Sequence, residues 1–263
     1  MKSALRCWAG AAVSLALVFG PAPAASTGPL TVAAAADFQF ALRELARGFE
    51  QRTGRQVRLV IGSSENLTTQ IERGAPFDLL FSADVGRPER LVREGLADRA
   101  SLIRYAAGRL VVVVPKDSRV EFDRQGLAAL DDDAVKKIAI ANPRFAPYGR
   151  AAVAALEHFG LYSRLAGKLV LGEDVSQATQ FVVSGNAQAG FSALALMLAP
   201  GAKPVGRYWL VPADSYPPLE QAAVVLRSSG EKDLAQAFLQ GLATPQAAAI
   251  LARYGFAIPE KKR

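Results

Sequence analysis

Four short stretches put small or polar residues between an apolar, strand-like run and an amphipathic, helix-like one. They are Ala35-Ala36-Asp37, Gly62-Ser63-Ser64, Ala146-Pro147-Tyr148-Gly149 and Glu173-Asp174-Val175-Ser176. The chemistry open to such turns is anion binding. A helix N-terminus presents backbone N–H groups with no intrahelical partner and a partial positive charge. Several of them aimed at one point would hold an oxyanion without Lys or Arg. Any one turn is also explained by ordinary capping, since Asp and Ser are preferred N-cap residues. The anion reading rests on four such turns spread over the chain.

Catalytic and metal chemistry find less support. His158, the only histidine, stands at the end of a helical pattern beside Phe159 and Gly160, where a structural role suffices. No Gly-x-Ser-x-Gly elbow and no Gly-x-x-x-x-Gly-Lys-Ser/Thr phosphate loop occurs in the sequence. Asp131-Asp132-Asp133 reads as a solvated acidic turn before a metal site. One histidine and one cysteine cannot supply a multi-histidine or thiolate metal centre. The expectation is a binding protein with no cofactor and no cation ligands.

The elements that would position the four turns alternate regularly. Leu30–Ala35 reads as a buried strand. Phe38, Ala41, Leu42, Leu45, Ala46 and Phe49 then fall on one helical face before Gly54. Val57–Ile61 is a strand, Ser64 to Ile71 a helix stopped by Gly74-Ala75-Pro76, Asp78–Ser82 a strand and Pro88 to Glu94 a helix. The alternation restarts with a strand at Lys137–Ala141, a helix from Tyr148 to Phe159, a strand at Lys168–Leu171, a helix over Val175–Val183 and a strand at Ala189–Leu194. Two helices, about Glu231 to Gln240 and Thr244 to Tyr254, finish the chain. Arg109–Pro115 and Glu220–Leu226 are apolar strands long enough to carry the chain between two blocks and back. The pattern predicts an α/β protein of two lobes, each a mostly parallel sheet flanked by helices, with a ligand cleft and hinge between them.

The N-terminus is an address. Lys2 and Arg6 precede an apolar run from Cys7 to Gly20, and Ala22-Pro23-Ala24 is a small-residue cleavage pattern. The run is too short to span a bilayer, which needs about 20 residues. Residues 1–24 are therefore expected to be removed on export. Lobe 1 is then built from residues 25–108 and 219–263, and lobe 2 from residues 109–218. Cleavage takes away two of the seven net positive charges and the only cysteine, so the mature protein holds together by packing alone. The remaining basic residues are scattered apart from Lys261-Lys262-Arg263, which argues against nucleic acid.

Several of these stretches resemble the periplasmic molybdate-binding proteins of ABC importers, a type II solute-binding family. The resemblance is carried by Thr31-Val32-Ala33-Ala34-Ala35-Ala36-Asp37, Gly62-Ser63-Ser64 and Gln70-Ile71-Glu72-Arg73-Gly74-Ala75-Pro76-Phe77-Asp78. Phe81-Ser82-Ala83-Asp84 and Arg253-Tyr254-Gly255-Phe256 add to it. The resemblance implies a monomeric periplasmic protein that binds molybdate or tungstate between its lobes and delivers it to an inner-membrane permease. Carried over position by position, it implies ligand contacts from Ser64 in the second turn, Tyr148 in the third and Val175 in the fourth, with Ala36 and Ser63 as neighbours. The late ligand tyrosine of some members falls at about Ala193 and is missing. Asp37 stands where the family usually has Ser or Asn. An ionised carboxylate only accepts hydrogen bonds, and two unit charges 4 Å apart repel by about 4 kcal/mol at an effective dielectric of about 20. Asp37 therefore either turns back as a cap, carries a proton, or accepts one from a protonated ligand. The last case would mean a protonated oxyanion in place of molybdate; a small organic anion or a metal recruited by Asp37 are the other ligands left open. A secreted enzyme using the cleft is the more distant alternative.

Overall fold

The computed structural model describes residues 28–200 and 206–258. The export signal read at residues 1–24 and the tail Lys261-Lys262-Arg263 lie outside them. The chain opens with β1 (Leu30–Ala35), a 3-10 turn at Ala36–Phe38 and α1 (Gln39–Thr53). There follow β2 (Val57–Gly62), α2 (Ser64–Glu72), β3 (Leu79–Ser82), α3 (Gly86–Arg93) and β4 (Ile103–Gly108). The second unit runs through β5 (Leu110–Val114), α4 (Phe122–Gln125), β6 (Ile138–Ala141), α5 (Pro147–His158), α6 (Tyr162–Leu165), β7 (Leu169–Gly172), α7 (Val175–Val183), β8 (Ala189–Ala193), α8 (Leu194–Met197) and β9 (Arg207–Leu210). The chain then returns through β10 (Leu219–Val225), α9 (Lys232–Gly241) and α10 (Pro245–Arg253).

The strands form two five-stranded sheets, ordered β2-β1-β3-β10-β4 and β7-β6-β8-β5-β9. The two orders follow one plan. In each, a central strand pairs in parallel with two neighbours, β1 with β2 and β3, and β6 with β7 and β8. Each sheet is completed by two antiparallel pairings, made by β10 in the first and β5 in the second. The sheets are therefore mixed, with four strands of each running in one direction and the fifth, β10 or β5, running against them. The strand that arrives from the other lobe runs against its neighbours, and an apolar run does not reveal its direction.

Arg109–Pro115 does not itself span the lobes. Val111 to Val114 are wholly buried inside the second sheet, and the crossing occurs at Arg109, between β4 and β5. β4 and the edge strand β9 are elements that periodicity did not disclose.

Helix faces bury what their spacing required. α1 places Ala41, Leu42, Ala46 and Phe49 in the core and ends on Gly54, whose φ of 69° is the left-handed C-cap conformation that glycine adopts without strain. Phe38, Phe81, Tyr105 and Phe256 make a tilted and edge-on aromatic cluster beneath the first sheet, with centroids 4.9–5.7 Å apart. Among the described residues no helix is long and apolar enough to cross a membrane.

Candidate functional site

The carboxyl ends of β1, β2 and β6, and the start of α7 after β7, converge where the lobes meet. A small cavity lies there. Its lobe 1 wall is Ala35, Ala36, Asp37, Gly62, Ser63, Ser64 and Ala83; its lobe 2 wall is Ala146, Pro147, Tyr148, Asp174 and Val175. All six residues singled out from the sequence, namely Ala36, Asp37, Ser63, Ser64, Tyr148 and Val175, stand on this one wall. No Lys, Arg or His does. Ala193 is buried at the end of β8, outside it.

Each turn is built by its local sequence. Ser63 is the N-cap of α2 in extended conformation, which leaves Ser64 at the first helical position. Ala146 caps α5 and Pro147 opens it; proline has no N–H, so the first backbone donor of this helix is that of Tyr148. Asp174 caps α7 by accepting from Gln177 N at 2.9 Å, with Val175 at the first helical position. Ala35 precedes the 3-10 turn that carries Asp37. Four helical starts thus line one cavity.

Ser64 is buried, and its Oγ accepts from Ala83 N at 3.1 Å. A hydroxyl that accepts there keeps its own hydrogen to donate elsewhere. Ser63 Oγ is buried with no protein partner. Asp37 is 1% exposed. Its Oδ2 accepts from Tyr148 Oη at 3.1 Å and from Gln221 Nε2 at 2.7 Å. Gln221 is in turn oriented by Tyr105 Oη, which donates to its Oε1 at 3.1 Å. Asp37 Oδ1 has no protein partner. A buried polar atom left unpaired costs about 1–3 kcal/mol, so two of them on one wall mark a place made for something polar. Burial pushes the Asp37 carboxyl from the usual 3.8 up to about 6, against the smaller downward pull of Tyr148, Gln221 and the backbone N–H groups of Asp37 and Phe38. Burial, and then the nearby carboxylate, push the Tyr105 and Tyr148 hydroxyls well up, so both stay protonated donors.

The hydroxyl of Tyr148 therefore serves Asp37. Gln221 and Tyr105 were not singled out from the sequence. The one available signal was that Gln221, wholly buried, is a polar interruption in the apolar run of β10. The residues set aside lie elsewhere. His158 is exposed, ten positions beyond Tyr148 on α5 and so about 15 Å along the helix. Asp131 pairs with Arg164 at 3.4 Å, and Asp132 accepts from Ala134 N at 2.7 Å.

The lobes are joined around the cavity by direct bonds. Gln39 Nε2 donates to Ser176 Oγ at 2.9 Å, Asn66 Nδ2 to Glu173 Oε1 at 2.9 Å, and Glu65 N to Phe145 O at 3.2 Å. Arg150 pairs with Asp84 at 2.7 Å. The cleft is closed.

Known proteins share this architecture. The molybdate-binding protein ModA of Rhodobacter capsulatus is 40% identical over 245 residues, 93% of this chain and 94% of that protein. The solved periplasmic molybdate-binding protein of Azotobacter vinelandii has a TM-score of 0.82 and 37% identity, covering 88% of this chain and all of that one. The sulfate-binding protein SubI of Mycobacterium tuberculosis shares the fold, with a TM-score of 0.69 at 18% identity. The family model of the bacterial extracellular solute-binding proteins matches residues 30–257, and the chain belongs to that family.

Proposed function

We propose that this protein is the periplasmic binding component of an ABC importer, and that its cleft takes a tetrahedral oxyanion, molybdate or tungstate. The observation that carries this reading is the convergence of four helical starts and the Ser64 hydroxyl on one cavity without Lys or Arg. The anion would be held by Ser64 through its hydroxyl and N–H, by the N–H groups of Tyr148 and Val175, and by the first turn at Ala36 and Asp37. Ser63 Oγ stands ready as a further donor. The free space in the cavity, about 10 Å³, is far below the roughly 300–1,000 Å³ of sites for drug-sized molecules, which favours a small inorganic anion over an organic one. The similarity to molybdate-binding proteins over nine-tenths of the chain supports the same anion.

The remaining readings follow from that one. Residues 1–24 direct export and are cleaved. Lobe 1 comprises residues 25–108 and 219–263, and lobe 2 comprises 109–218. The lobes close on the anion by bending at the two crossings, and the loaded monomer docks on a membrane permease. No bond is made or broken in the ligand, no cofactor takes part, and the protein is not an enzyme.

Titration calorimetry of the ligand-stripped protein tests the reading. Molybdate and tungstate should bind one per protein, more tightly than sulfate, phosphate or selenite. Absence of heat with both would remove it.

A further inference from the structure

Asp37 is the group that the oxyanion reading does not absorb. It lines the cavity proposed for a dianion, is buried to 1% exposure, and has one carboxyl oxygen without a hydrogen-bond partner. The geometry around it sorts its two oxygens. Oδ2 already takes two donors, the Tyr148 hydroxyl from α5 and the Gln221 amide from β10. The amide cannot present its oxygen there, because Tyr105 Oη on β4 holds Gln221 Oε1. Oδ2 is thereby fixed as an acceptor, and the position left for a proton is Oδ1, on the side that has no protein partner.

Resting on the oxyanion reading, we infer that Asp37 enters the complex as the neutral acid and donates its Oδ1 proton to the bound anion. Each anion bound above neutral pH then brings one proton from solvent into the cleft. The neutral acid supplies a donor where Ser or Asn would otherwise stand, and it removes the repulsion between carboxylate and dianion. The donors facing Asp37, which are Tyr148, Gln221 and the backbone N–H groups of Asp37 and Phe38, favour the carboxylate, and burial outweighs them. Tyr148 and Tyr105 are donors held protonated. Ser63 and Ser64 on α2 are uncharged. Asp174, at the start of α7, is the other carboxylate of the wall and has its Oδ1 on Gln177 N. No cation lines the cavity to hold Asp37 ionised. Burial in the free protein already favours the proton, and an arriving dianion favours it further.

The experiment is calorimetric titration of the wild-type protein with molybdate from about pH 6 to about pH 8.5, in pairs of buffers differing in ionisation enthalpy. Linkage predicts an affinity that falls by about tenfold per pH unit above the free-protein pKa, with proton uptake approaching one per anion. The infrared difference between bound and free protein should show the C=O stretch of a protonated carboxylic acid. In Asp37→Asn, which copies the neutral acid, binding should persist while the pH slope, the proton uptake and that band all disappear. Wild-type binding without proton uptake would overturn the inference and leave the oxyanion reading standing. Proton uptake retained in Asp37→Asn would overturn it by placing the proton elsewhere. Loss of binding in a variant that still melts cooperatively would overturn it by showing that a neutral donor at this position does not suffice to hold the anion. Failure of the wild type to bind molybdate or tungstate at any pH would overturn the underlying reading itself. The wild-type proton count requires no variant to fold.

Discussion

Asp37 keeps its proton longer than an exposed aspartate because water does not reach it, and that has a consequence for the ligand-free protein. Between about pH 4 and about pH 6 the folded protein retains a proton that the unfolded chain has already released. Stability then falls as pH rises through this window and levels off above it. Asp37→Asn escapes the loss. Its advantage in unfolding free energy should be near zero below about pH 4 and about 3 kcal/mol above about pH 6.5. Urea denaturation at the two ends of the window checks it; an advantage that does not change with pH would assign the effect to shape and not to charge. Ser64→Ala tests a different atom. Removing a hydroxyl donor to a charged ligand should weaken oxyanion binding by about 1.5–3 kcal/mol, roughly 10- to 150-fold in Kd, measured by the same titration. The turns that carry Ser64, Tyr148 and Val175 were legible because a helix start after a strand has a local signature, and the family resemblance pointed to the three residues within them. Gln221 was not. It meets Asp37 across 184 positions, and a local pattern holds no information about a partner that far away.

At the scale of elements, the site depends on how closely the crossing strand approaches α5. A Cβ placed on Gly108, the last residue of β4, would lie 2.1 Å from Tyr148 Oη and 3.1 Å from Gln221 Nε2. Gly108→Ala should therefore push the tyrosine off Asp37, destabilise the fold by about 1–3 kcal/mol and weaken binding together with it. Gly167→Ala, where a Cβ would meet nothing within 4 Å, is the control and should stay within about 0.5 kcal/mol. Thermal unfolding of the two variants separates these outcomes. The order of strands and helices could be read from the sequence almost throughout, since both periods were well expressed. Direction and partner could not. Val111–Val114 reads the same whether it bridges two lobes or lies antiparallel inside one, and only the pairing of β5 with β8 and β9 decides. β9, exposed along much of its length, lacks the apolar alternation that would have announced it.

For the whole molecule, two lobes of one plan meet at a wall to which each contributes comparably. The bonds that tie them outside the cavity are peripheral. The Arg150 side chain is 40% exposed, and its pair with Asp84 is worth about 0–1 kcal/mol after screening. Arg150→Ala should accordingly change oxyanion affinity by no more than about fivefold. It should shift the ligand-free protein toward a more open shape, read as a larger radius of gyration by small-angle X-ray scattering. A loss of affinity well beyond that would mean that the latch and not the anion holds the cleft shut. The two-lobe division was legible because the alternation stops and restarts. That the lobes would be closed on one another was not, because closure rests on contacts such as Gln39 with Ser176, between residues whose types suit any surface.

Only Arg109 separates β4 from β5, and residues 211–218 separate β9 from β10. Such short tethers keep each lobe at a high effective concentration for the other. Most of the translational freedom that two free partners would lose on association is already lost through covalent connection. Shutting the cleft is thus an intramolecular event biased by a few weak contacts, and the anion's own hydrogen bonds need supply only the remaining difference. The same economy favours release: a state held by so little can be reopened by a membrane partner that grips each lobe separately, without breaking into either core.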